Sequence, residues 1–130
     1  MRQQIGFALF FIAALATSNA IAGALPTRPG ACAWTKISRL AHRLQEGENG
    51  PFVPDSGSAV DFANGGHQVW YQELDAVHHS RAGDPVMMSL VSIPRHCPKG
   101  DKRGRMYTAT NLRTFESWTM PDAEHHCGGA

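Results

Sequence analysis

Apolar and polar positions change period several times along this chain, and each change marks an element. Ile5 to Leu15 is an almost unbroken apolar run that follows Arg2 and gives way to Thr17, Ser18 and Asn19. That is the pattern of a removable export signal over residues 1–22, with small Ala20 and Ala22 placed for cleavage before Gly23. The run is too short to span a bilayer stably. Residues 23–33 are small and contain Pro and Gly, and read as a loose lead-in. Trp34, Ile37, Leu40, Ala41 and Leu44 then recur at helical spacing, with Lys36, Arg39 and Arg43 facing away. This predicts one amphipathic helix over Trp34–Gln45, its stripe packed on the rest of the domain and its end set by Gly47 and Gly50-Pro51.

Beyond a turn-rich loop over 47–57 the period becomes two. Val60 and Phe62 alternate with Ala59 and Asp61, and Val69 and Tyr71 alternate with Gln68, Trp70 and Gln72. Asn64-Gly65-Gly66 between them tolerates positive φ, so the pair reads as a β-hairpin. The alternation turns Trp70 away from Val69 and Tyr71. Residues 73–81 read as a helical turn or a loop. Val86 to Ile93 is nearly continuous apolar and reads as a central strand covered on both faces. Met106–Thr110 and Thr114–Met120, rich in Thr and aromatics and joined by Asn111-Leu112-Arg113, read as a second hairpin. The fold expected is α+β and mainly β: one N-terminal amphipathic helix plus about five antiparallel strands in a small sheet or partial barrel. One domain, residues 34–130, has room for one modest core.

Charge narrows the partners. The chain carries 12 Lys and Arg against 11 Asp and Glu, and loss of Arg2 with the signal leaves the two balanced. A balanced chain argues against nucleic-acid binding. Arg95, Lys99, Lys102, Arg103 and Arg105 nevertheless crowd one segment with only Asp101 to offset them. They form either a solvated loop or a small surface for an anionic ligand. Among the aromatics, Trp34, Trp70, Trp118, Tyr71 and Tyr107 are candidates for core or groove, and an exposed Trp70 would mark a binding surface.

Cys32, Cys97 and Cys127 remain after processing. In a small exported domain one bridge is expected. Cys97 and Cys127 each lie at the edge of a turn-rich segment with a hairpin between them, so they are the favoured pair. Cys32 is then left to pair between chains or to stay a thiol; the residues before it make a poor lipid-attachment site.

Such a bridge would draw together His96, His125 and His126, imidazoles suited to Zn, Cu or Ni. An oxidised cysteine supplies no thiolate, and neither Cys-x-x-Cys nor His-Glu-x-x-His spacing occurs. Pro54-Asp55-Ser56-Gly57-Ser58 has a serine but no assignable base or oxyanion hole, and reads as a turn opening the first strand.

The segment from Cys97 to Ala130, together with Gly57-Ser58-Ala59-Val60 and Val91-Ser92-Ile93-Pro94, is similar to a family of small exported bacterial proteins. The resemblance implies bacterial origin and export and supplies no catalytic residue. Its members carry a cysteine where Ser89 stands, which implies that Cys32 lacks its partner in this chain. The function expected is a periplasmic or secreted non-catalytic binding or inhibitor-like domain, without a transmembrane segment after cleavage. Its partner would be a protein or an anionic envelope ligand, met through the basic loop and Trp70. The alternative is an envelope metal binder using the histidines.

Overall fold

A computed structural model describes residues 22–129. The segment read as the export signal lies outside them except for its last residue. Six antiparallel strands form one sheet in the order β3-β2-β1-β4-β5-β6. They are β1 (Cys32–His42), β2 (Ser58–Phe62), β3 (His67–Trp70), β4 (Pro85–Ser92), β5 (Met106–Asn111) and β6 (Ser117–Pro121), with one helical turn, α1 (Asp75–His78), between β3 and β4. The mainly β class expected from the sequence is what forms, curled into a half-barrel. Among the described residues no helix is long and apolar enough to cross a membrane.

The amphipathic helix expected over Trp34–Gln45 does not form; those residues are mostly β1. The cause is a bulge. β1 pairs with β4 through Cys32–Lys36 and with β2 from Ile37 onward, and its register slips between Ile37 and Arg39. Before the slip Thr35 and Ile37 point inward; after it Leu40 packs against the core. One inserted residue turns a spacing of two into a spacing of three, so a bulged strand imitates the apolar stripe of a helix. Trp34, which the helix would have buried, stands 52% exposed on the outer face.

Both hairpins form where the sequence placed them. In the first, Asn64 Oδ1 accepts from Gly66 N at 3.1 Å and Gly65 takes φ +84°. In the second, Asn111 Oδ1 accepts from Arg113 N at 2.8 Å and builds the turn. β4 is central, but only one face is covered. Val86, Met88 and Leu90 are buried, while Met87 and Ser89 are half-buried and Val91 is exposed. The concave face carries the core, in which Ile37, Val60 and Phe62 meet Met88, Leu90, Tyr107, Trp118 and Met120. Each large apolar side chain buried there contributes about 1.5–3 kcal/mol. Residues 22–31 are irregular yet fastened across this face: Tyr107 donates its hydroxyl to Pro26 O at 3.0 Å, and Leu25 packs on the core.

Candidate functional site

The C-terminal end of β1, the loop over 43–57 and the turn after β3 converge on one carboxylate. Glu73 Oε1 accepts from His42 Nδ1 at 2.7 Å and from Gly57 N at 3.1 Å, and its Oε2 lies 2.9 Å from His78 Nε2. His42 arrives on β1, and His78 is the last residue of α1. The two rings lie 6.2 Å apart between centroids. Partial burial alone would raise the Glu73 pKa. The hydrogen bonds from His42 and the Gly57 main chain, with the charges of His42 and His78, outweigh it and hold the carboxyl below its ordinary value. These three residues line a cleft of about 310 Å³ with Leu40, Phe52, Val77 and the hydroxyl-bearing Ser58 and Ser80. Ser58 Oγ is already engaged, donating to Gln72 O and accepting from Leu74 N. The serine segment therefore serves as the turn into β2, as expected.

A second cleft, about 360 Å³, lies where Ala41, Ala59 and Val69 face the tail residues Asp122–Glu124, and His42 lines both. At its margin Asp61 accepts from His67 Nδ1 at 2.6 Å and Arg39 Nε at 2.7 Å. Burial pushes the Asp61 pKa up, and these two partners pull it below its ordinary value.

Exposed apolar groups gather at the same end of the molecule. Trp70 and Tyr71 are 38% and 47% exposed and meet edge to face. The Arg43 guanidinium lies 4.4 Å from the centre of the Tyr71 ring, and its Nε donates to Ser56 O. Leu44 and Phe52 are exposed on the loop, where Val53 N donates to Leu44 O and Gln45 bridges to Phe52. Phe52 also approaches His42, with 6.4 Å between ring centres.

Trp70 is exposed although it shares its face of β3 with the fully buried Gln68; the alternation turned it away from Val69, and its exposure depended on that face being left uncovered. Tyr71 lies beyond the end of β3 and escapes the buried face that the same alternation gave it. Tyr107 and Trp118 are core. Cys97 and Cys127 are bridged, with 5.2 Å between their Cα atoms, and Cys32 is an exposed thiol. In the basic segment Arg95, Lys99 and Lys102 are exposed. Arg103 is spent on Asp101 at 2.8 Å and on Gly129 O, and half-buried Arg105 keeps its Nε without a partner. Trp70 and the basic segment thus sit on separate parts of the chain; from the tail, Glu124 O accepts from the Tyr71 hydroxyl at 3.4 Å. The bridge does not gather His96, His125 and His126 into a ligand set. Among the described residues no group of three His, Cys, Asp or Glu side chains is placed to hold a metal ion.

His42 and Glu73 carried no signal in the sequence. They are 31 positions apart and meet only because the first hairpin returns beside the end of β1. No family model matches this chain, and no curated protein or solved structure matches it.

Proposed function

We propose that this is an exported, non-catalytic binding domain of the periplasm or the cell exterior, and that it grips a protein partner with the rim around the His42 cleft. One observation carries the reading: Leu44, Phe52, Trp70 and Tyr71 stand exposed together beside a stacked Arg43. Aromatic residues and Arg are the groups that anchor protein interfaces, and an exposed cluster of them is costly unless something covers it. Export is supported by the apolar N-terminal run and by the Cys97–Cys127 bridge, which persists in oxidising compartments. The exposed basic residues Arg95, Lys99 and Lys102, on a separate part of the chain, add positive charge whose longer-range field steers an acidic partner.

Quantitative capture from envelope extract tests this. The Trp70→Ala/Tyr71→Ala double variant, checked for an unchanged melting temperature, should lose a protein that the parent enriches. A Lys99→Glu/Lys102→Glu variant should keep that protein but bind it more slowly. Identical capture profiles for parent and aromatic variant would overturn the proposal.

A further inference from the structure

The cleft behind this rim has chemistry of its own. Glu73 is fully engaged by three donors and is held ionised. Each imidazole spends one nitrogen on it, so His42 Nε2 and His78 Nδ1 remain without a protein partner among the described residues. A carboxylate that fixes one ring nitrogen leaves the other oriented and available. Among the described residues no other charged side chain lines the cleft. Arg43, the next residue on β1, turns to Tyr71 and Glu124. On α1, Asp75 is exposed, and neighbouring His79 pairs with Glu116. Glu46, Glu48 and Asp55 on the covering loop are exposed outside it. The formal charge of the cleft therefore runs from negative with both rings neutral to positive with both protonated. Leu40, Phe52 and Val77 supply apolar walls beside that switchable head.

From this arrangement we infer that the cleft binds a small organic oxyanion, a carboxylate or a phosphomonoester on a short apolar stub. The protonated His42 and His78 meet the anion, and Phe52 covers the stub. The inference rests on the binding-domain reading and names a ligand for the cleft within that surface. Binding is proton-linked: an anion that needs both rings charged favours their protonated forms, so its affinity falls as pH rises through the imidazole range. A neutral molecule of the same shape gains the apolar contacts but meets no counter-charge.

Titration of the whole mature protein with benzoate and phenyl phosphate, followed by amide and imidazole NMR shifts, tests it. Benzamide and benzyl alcohol serve as neutral counterparts. The acid and alkaline conditions are set from the imidazole signals themselves, on either side of their change with pH. At the acid condition the anions should move His42, His78 and Phe52 saturably and bind at least about tenfold tighter than at the alkaline one, a difference of about 1.4 kcal/mol. The stronger of the two probes distinguishes carboxylate from phosphate chemistry. His78→Gln, at a side chain 47% exposed and checked for an unchanged melting temperature, should weaken the anions severalfold and leave the neutral probes unchanged. Calorimetry in two buffers of different ionisation heat should show proton uptake. Equal binding of neutral and anionic probes, pH-independent affinity, an unaffected His78→Gln variant or no saturable shift would each overturn the inference. Loss of partner capture by the aromatic variant would still stand on its own in that event, so the two readings fail separately.

Discussion

Gln68 on β3 accepts a hydrogen bond from the Trp118 indole on β6 at 2.8 Å, across the open seam of the half-barrel. The same side chain donates Nε2 to Tyr107 O at 2.6 Å and to Met120 O at 3.2 Å. β3 and β6 are the two edges of the sheet, so one glutamine amide stands where a main-chain ladder would close the barrel. Gln68 is fully buried, and every one of these groups is cut off from water. Gln68→Leu keeps the bulk but strands the indole N–H, and it removes the second hydrogen bond accepted by the Tyr107 and Met120 carbonyls, which keep their β5–β6 ladder bonds. At about 1–3 kcal/mol for one stranded buried donor, the expected loss is about 2 kcal/mol. Urea unfolding of the variant measures it; a loss under about 1 kcal/mol would show that the seam does not depend on the amide.

Acid should weaken the domain through Asp84. Its pKa is held far below the usual carboxylate range, first by hydrogen bonds from Arg113 at 2.7 and 2.8 Å, against opposing burial, and then by Asn111 and the Arg81 main chain. A carboxyl depressed in the folded state contributes stability that is complete above its unfolded value of about 3.9 and is lost as pH falls towards the folded value. Asp61, Glu73 and Asp101 are shifted the same way, so the useful measurement is a difference. Asp84→Asn should cost about 2 kcal/mol at neutral pH, because Arg113 is partly exposed and can return to water. That gap should narrow as the parent is taken below about pH 4. A gap that stays constant down to pH 2 would remove Asp84 as the cause.

The Cys97–Cys127 bridge closes a loop 30 residues long and pins the tail that carries Glu124 to the Tyr71 rim. On the chain-entropy model a loop of that length is worth about 3–4 kcal/mol. Cys97→Ser/Cys127→Ser should therefore melt well below the parent. Reductant should lower the parent to the same temperature and leave the variant where it was. A parent unmoved by reductant under conditions that expose both thiols would contradict this.

Gly57 shapes the rim directly. Its φ is +114°, and an added Cβ would overlap Trp70 O and the Tyr71 backbone. Its amide also donates to Glu73. Gly57→Ala cannot be absorbed by a side-chain rotation, because backbone stands in the way, and it should cost about 2 kcal/mol or more. The Trp70 and Tyr71 signals should shift with it. An alanine variant of parental stability and unchanged aromatic shifts would mean that the turn relaxes freely.

Local alternation revealed most of the sheet, and what it missed has identifiable causes. Val60 with Phe62 shows its buried face in the sequence because period two survives where a strand is regular, whereas the nearly continuous apolar run of β4 hid which of its faces is covered. β1 misled because its bulge moved the inward positions from Ile37 to Leu40. The bridge was legible because Cys97 and Cys127 each lie at the edge of a turn-rich segment with a hairpin between them. The Glu73 cluster was not, since its members belong to three segments that only the curl of the sheet unites. Gln68 was hidden for a related reason: a polar residue on an inward position looks like an error until the seam it closes is seen.

Cys32 stands directly opposite Ser89 in the pairing of β1 with β4. Leu90 N donates to Ala31 O at 3.1 Å and Ile37 N to Asp84 O at 3.0 Å. Hydrogen-bonded pairs thus fall on odd-numbered residues of β1, and Cys32 and Ser89 form a non-hydrogen-bonded pair. Cα atoms in such a pair lie about 4.5 Å apart, within the range a disulfide spans, and both side chains leave the same outer face. Ser89→Cys should therefore close to an intrachain bridge under oxidising conditions. The bridge would join distant segments and should raise stability by up to about 4 kcal/mol, less whatever strain the strands impose. Peptide mapping without reductant should recover the fragments around positions 32 and 89 as one linked species, with Cys97–Cys127 intact. Alkylation of both new-pair thiols in the folded, oxidised protein would show that β1 and β4 do not meet in this register.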